Sequence, residues 1–367
     1  MHTLTTQGDS LADLPDYRIR LANPQVITPL NIPAFSQANT IGEGKVGFCI
    51  ENNGIVADSL SLEIMAGDQL IYREQDTRRF LSPGCHFWFW DGYSDTGILD
   101  TQTLKRSDLR LRLVASHASE FFTAECPFQG KAQHVYWVDV RVDRIKRQVD
   151  VLVRLSFSDG GTRGREGNFH CPDYSILAMM ACEGVEFYWS RNGLRAGGIG
   201  NGIQTEQGLF SVTVAADRLT KPGMPDFKLI GSLSERFGRS TSLKGFRRIF
   251  YNQGFYGKHI TSQTNLNRFC ELNFKMTAAH EIGHIILDRY GAGSFPDYSW
   301  SHKGTSTVLT QQAKRGVTMP LQGEIDLMKY ADARVNRVTP ADRFLRSVAA
   351  SEDVKGLIWL SAVIFNA

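Results

Sequence analysis

Hydrophobic positions change their spacing along the chain. Residues 1 to about 25 show little periodicity and read as a leader segment. From Gln25 to about Ala124 apolar residues fall in short or alternating runs: 46–50, 60–64, 87–90 and 109–114. Turn clusters at 52–54, 82–84 and 91–97 separate them. Short strands with regular turn punctuation predict a β-sandwich over residues 26–125. From about Cys126 the pattern mixes. Residues 137–142 and 149–155 read as two strands or as strand then helix, 174–182 as helix, and 185–189 and 209–214 as strands. Met276, Ala279, Gly283, Ile286 and Tyr290 recur at three- and four-residue spacing, which predicts a buried amphipathic helix. Gly291 and Gly293, with Pro296 beyond, supply its stop. The expected class is α+β, with a β-sandwich followed by an α+β domain over residues 126–367.

The glycine-rich stretch 197–202 superficially suggests a phosphate cradle. It does not open a helix after a parallel strand, so a loop between strands is the better reading. The chain has 367 residues, with 42% hydrophobic and 22% charged, which describes a soluble globular protein with room for two domains. A net charge of +3 is too small to argue for nucleic acid or a membrane surface as partner. The longest late apolar run, 356–365, is too short to span a bilayer and reads as a buried C-terminal helix. The N-terminus lacks the basic start and apolar stretch of a signal peptide, so the expected location is the producer's cytoplasm, or export by a specialised machine. Six cysteines, at 49, 85, 126, 171, 182 and 270, form no C-x-x-C pair. They are expected to be buried free thiols, with one disulfide open to them in an oxidising compartment.

The most specific chemistry lies inside the predicted helix: His280-Glu281-Ile282-Gly283-His284. Histidines four apart share a helix face, so both imidazoles can reach one metal ion. A glutamate beside the first can take a proton from a metal-polarised water, which makes this spacing the zinc-metallopeptidase signature. Catalytic zinc takes a third protein ligand. Asp288 continues the i+4 series but lies about 12 Å along the axis from His280, too far to share one ion. The downstream candidates are Asp297, His302, Glu324 and Asp326. Glu324, after Pro320 at the apparent start of another helix, is the expected third ligand, with His302 second. Leu287 stands where the metzincin pattern needs glycine.

With these residues in view, the chain resembles zincin metallopeptidases. The segment 278–286 with 323–330 downstream is similar to the gluzincin-like toxins associated with bacterial type VI secretion. The turn Trp90-Asp-Gly-Tyr-Ser-Asp-Thr-Gly97 resembles that of bacterial immunoglobulin-like modules. Its aspartates lack the spacing of an EF-hand calcium loop. The match covers these segments only, and the position four after Glu324, an Asp in the known gluzincins, is Met328. The resemblance implies an Ig-like domain ahead of a zincin-like catalytic domain. It further implies an antibacterial effector delivered into a rival's periplasm, with a cognate immunity protein and a secretion-machine component as partners.

The expected chemistry is Zn2+ on His280, His284 and Glu324, with Glu281 as general base and then acid. Tyr298, His302 and Tyr330 are candidate donors to the oxyanion. By the resemblance, the strand 209–214 would be the edge along which an extended substrate lies. The substrate is a polypeptide or a peptidoglycan peptide, since the metal motif serves a protease and a peptidoglycan amidase or endopeptidase alike. A binding or adaptor protein with an Ig-like module is the alternative from a different class.

Overall fold

The computed structural model describes residues 15–22, 25–35, 44–163, 171–233, 239–243, 246–253, 260, 262–291 and 298–366. The fold is mixed α+β, with more strand than helix and several sheets. The chain forms two compact units. One comprises Met1–Ile27, Gly42–Gln133 and Val363–Ala367, the other Thr28–Ile41 and His134–Ala362. The main boundary falls at 133/134, with Thr28–Ile41 belonging to the second unit and Val363–Ala367 to the first. Most of the expected leader lies outside the described residues, but Tyr17–Leu21 is a strand.

The first unit is built from antiparallel strands. Tyr17–Leu21, Val46–Asn52 and Gly84–Trp90 form one sheet in that order. Gln69–Arg73, Ser59–Ala66, Leu109–His117 and Glu120–Pro127 form another. In Leu109–His117 the alternation is literal. Leu109, Leu111 and Leu113 are buried, while Arg112 turns out to bond Glu63 on the neighbouring strand. The two sheets share a core in which Trp88 packs on Phe48 and on Tyr72, with ring centroids 5.7 and 6.2 Å apart. In the turn after Trp90, Asp91 accepts from the Tyr93 N–H, Asp95 from the Arg73 N–H and Asp100 from the Gln102 N–H. These aspartates are occupied as turn and cap acceptors. The C-terminal apolar run does not form one helix. It splits into the helix Ser351–Trp359 and the strand Val363–Phe365, the latter paired with Gly130–Ala132 and Gln25–Ile27.

The second unit carries the long strand Gln148–Arg163, paired antiparallel with Val138–Asp143. Its first half pairs parallel with Gly208–Arg218 and its second half with Asp226–Ser232, which in turn pairs with Arg248–Asn252. The helix Tyr174–Trp189 links Gln148–Arg163 to Gly208–Arg218, and the 28-residue helix Gln263–Tyr290 follows the last strand. Val185–Trp189, expected as a strand, is the last part of the first of these helices. The two helices cross closely. A Cβ on Gly184 would strike the backbone of Lys275, and Trp189 Nε1 donates to the Ala279 carbonyl at 3.1 Å. Only glycine permits that approach, and tertiary contact here overrides the β-propensity of Val, Phe, Tyr and Trp.

Candidate metal centre

The signature sits on the deepest stretch of the long helix. The predicted apolar stripe is buried, and so is every residue from Ala278 to Leu287. The helix ends where expected, at Tyr290, with the Gly291 N–H bonded to the Leu287 carbonyl at 2.7 Å. Gly293 and Pro296 lie outside the described residues. Gly283, between the two histidines, leaves no room for a side chain, since a Cβ there would meet Met328 and Trp189.

His280 and His284 are joined by His302, not by Glu324. One ligand atom from each of the three imidazoles lies within 4.8 Å of the others, and all three residues are buried. His302 stands in a tight turn, where it and Lys303 both adopt left-handed backbone, with φ of 49° and 57°. Such a conformation costs non-glycine residues on the order of 1 kcal/mol each. Local bonds hold the turn: the His302 N–H donates to the Ser299 carbonyl, and the Lys303 N–H to that of Tyr298. Lys303 Nζ also sits between the carboxylates of Asp326 and the fully buried Asp353, at 2.6 and 3.0 Å.

The outer nitrogens fix how each ring is used. His280 Nδ1 lies 2.8 Å from the Leu327 carbonyl, an acceptor only, so it carries the proton. Ser299 Oγ donates its one proton to the His284 carbonyl and so accepts from His284 Nδ1. Ser306 Oγ donates to the Thr307 carbonyl and accepts from His302 Nδ1, 2.6 Å away. In all three rings the lone pair is therefore left on Nε2, facing inward. Nε2 of His280 and Nε2 of His302 are buried and have no hydrogen-bond partner among the described residues. Burial pushes His280 down to about 4 and His302 to about 2, and lowers His284 well below the usual imidazole range, so all three are neutral donors near pH 7. Three neutral nitrogens converging on one point, two of them orphaned, are a donor set that fits zinc.

Glu281 is buried beside this cluster. Its Oε2 accepts from Ser242 Oγ at 3.0 Å, and desolvation raises its pKa to about 7. Tyr330 stacks on His302, with ring centroids 3.6 Å apart, and its hydroxyl accepts from Arg239 at 2.8 Å. The hydroxyl proton of Tyr330 thus stays free to donate. A cavity of about 530 Å3 opens beside His280, Glu281 and Tyr330.

The remaining expected residues lie elsewhere. Glu324 accepts a bidentate pair from Arg191, both bonds at 2.9 Å, and the Gly200 N–H at 2.8 Å. Arg191 also donates to the carbonyls of Gly202 and Ala349, so Glu324 closes a socket around the glycine-rich loop. Its neighbours Ile325–Asp326 form a short strand against Ser347–Val348, where a helix start was expected. Tyr298 donates to Asp353 at 3.0 Å and packs against Phe35 with its ring tilted. It buttresses the turn bearing His302, through Asp353 and Lys303. Asp326 is taken by Lys303, Asp288 is half-buried near the end of the helix, and Asp297 lies outside the described residues. Strand 209–214 is no open edge: the Val214 N–H donates to Ser190 Oγ, and Arg191 bridges to Val212. The strand lining the cavity is Arg248–Asn252, through Phe250 and Asn252.

Sequence reasoning passed over Ser242, Ser299, Ser306 and Arg239. One signal was there to use: His302 is the last histidine of the chain and is set among serines, Ser299-Trp-Ser-His-Lys-Gly-Thr-Ser306. All six cysteines are free, but Cys171 is half-buried and Cys85 exposed, so the expectation of six buried thiols holds for four. Cys49 and Cys85 bring their sulfurs to 2.6 Å. No described helix is long and apolar enough to cross a membrane. Comparison with protein-family models, with curated proteins and with solved structures finds no match.

Proposed function

We propose that the chain is a zinc-dependent hydrolase of peptide bonds, with His280, His284 and His302 holding the metal and Glu281 as the proton carrier. The observation that carries this reading is the pair of buried, partnerless Nε2 atoms on His280 and His302, beside a buried carboxylate raised into the neutral range. Bound zinc supplies acidification of a water molecule and polarisation of the scissile carbonyl.

The protein's own groups do the rest. Ser242 holds one oxygen of Glu281, which leaves the other to take the proton of the attacking water and later hand it to the leaving nitrogen. Tyr330, fixed by its stack on His302 and by Arg239, offers its hydroxyl to the developing oxyanion. The three outer acceptors, Leu327, Ser299 and Ser306, keep the imidazoles in the tautomer that binds metal. A three-histidine set departs from the gluzincin pattern while keeping the zincin helix. The first unit, in which two of its antiparallel sheets share a core, supports the reading of an Ig-like sandwich.

The test is zinc content and proteolysis measured together. Wild type should bind about one zinc per chain and digest unfolded casein. Glu281→Ala should keep the zinc and lose the digestion. A wild type that binds zinc yet cuts neither protein nor purified sacculi overturns the hydrolase reading. Release of muropeptides from sacculi, with casein untouched, would move it to a peptidoglycan amidase or endopeptidase. Action in a rival's periplasm, with an immunity protein and a secretion component as partners, is supported by the resemblance to secreted effectors. Periplasm-directed expression should then stop growth with wild type but not with Glu281→Ala, and equal growth removes that part of the reading.

A further inference from the structure

The cavity beside Glu281 has a charge of its own. Two guanidiniums line it, Arg239 and Arg343, and Glu281 is the only carboxylate among the described lining residues. Arg239 is held in place by neutral oxygens: the Tyr330 hydroxyl at 2.8 Å and the carbonyls of Thr310 and Gln311 at 3.3 and 3.4 Å. These partners orient the guanidinium without cancelling its charge. Asn252, Asn273 and Asn336 add neutral amides to the lining. A volume of about 530 Å3 accommodates a substrate segment of a few side chains.

A bound divalent metal would add further positive charge at one end of the same cavity. The field there repels lysine and arginine side chains and attracts an anion. Guanidinium groups match carboxylates with paired N–H donors.

We infer that the cavity is a carboxylate-recognition subsite, in which Arg239 and Arg343 select peptides carrying a carboxylate next to the scissile bond. This rests on the hydrolase reading above and adds its substrate class. The carboxylate has two possible sources, an acidic side chain or a free chain terminus, and both present the same group to the arginines.

The experiment compares two forms of one peptide mixture, from digested casein and serum albumin, with and without all carboxylates converted to methylamides. The zinc-loaded full chain should cut the native mixture at least about 10-fold faster than the amidated one, as loss of one charge-assisted contact would give. Mapped sites should place Asp, Glu or the free terminus within two residues of the cut. For the best site, a peptide with Glu kept and its terminus amidated, against one with Gln and a free terminus, tells the two sources apart. Arg343→Met should bind one zinc and narrow the gap between native and amidated mixtures, and Arg343→Glu should shift cutting toward lysine-containing peptides. Equal cutting of both mixtures, or variants that keep the gap, overturns the subsite and leaves the hydrolase standing. If neither mixture is cut at any zinc concentration, the hydrolase reading fails and takes this inference with it.

Discussion

Two glutamates of this chain look alike on paper and live in opposite surroundings. Among the described residues, Glu281 on the signature helix has one hydroxyl donor and no cation bonded to it, and it lies beside three imidazoles that come together. Glu324 sits in an irregular segment and meets a bidentate guanidinium and a backbone N–H. The first carboxylate is under-satisfied and pushed up to about 7 by burial. The second has its charge matched. Proteins rarely bury polar groups without partners, so unspent capacity marks a place where something else is meant to bind or react. Spent capacity marks architecture. The difference between a working site and a structural one lies in what is left over, not in residue type.

The sharpest way to break this comparison is to remove a ligand from each side. His302→Ala should abolish zinc binding and activity together, because two histidines and a water cannot hold the ion as three do. Glu324→Ala should keep about one zinc per chain. Elemental analysis of the two purified variants decides it. Zinc lost from Glu324→Ala but kept by His302→Ala would exchange their roles.

The next effect separates chemistry from binding. Glu281→Gln keeps the shape and the Ser242 contact but cannot accept a proton. Its kcat on casein should fall by about 10^2 to 10^4, the usual contribution of a general base, at unchanged zinc stoichiometry. A smaller effect falls on the groups behind the ligands. Ser306→Ala frees His302 Nδ1 from its acceptor, and zinc affinity in a competitive chelator titration should drop about 10- to 100-fold. Unchanged affinity would mean that the left-handed turn alone orients the ring.

Much of this was legible from residue order, and the reasons for the exceptions are physical. Leu109–His117 declared itself because its alternation matches the pleat, and the signature helix because its stripe matches a helix. Val185–Trp189 misled because propensity is local, whereas the close crossing at Gly184 that holds it helical is tertiary. Glu324 misled because an acid after a proline looks like a helix start. Its partner Arg191 lies 133 residues away, a distance no spacing rule spans. His302 carries no periodicity at all. It sits in a turn whose geometry comes from Ser299, Ser306 and a buried lysine–aspartate network, so only the fold brings it to the other two imidazoles.

The smallest predicted effect tests the structural side of the comparison. Glu324→Gln keeps the size of the side chain and one acceptor oxygen but removes the charge that faces Arg191. Arg191 is only 7% exposed, so its guanidinium would stay buried with two carbonyl partners and no counterion. Leaving a buried charge uncompensated costs about 3–5 kcal/mol in a fully enclosed pair. The Glu324 side chain is 34% exposed, and water screens part of that loss. We expect about 2 kcal/mol, read as a lower midpoint in urea at unchanged slope. Zinc content and casein digestion should match wild type at temperatures where both are folded. Glu324→Gln would thus weaken the protein without touching its chemistry, and Glu281→Gln would do the reverse. A Glu324→Gln protein as stable as wild type, yet inactive, would return this carboxylate to the catalytic side.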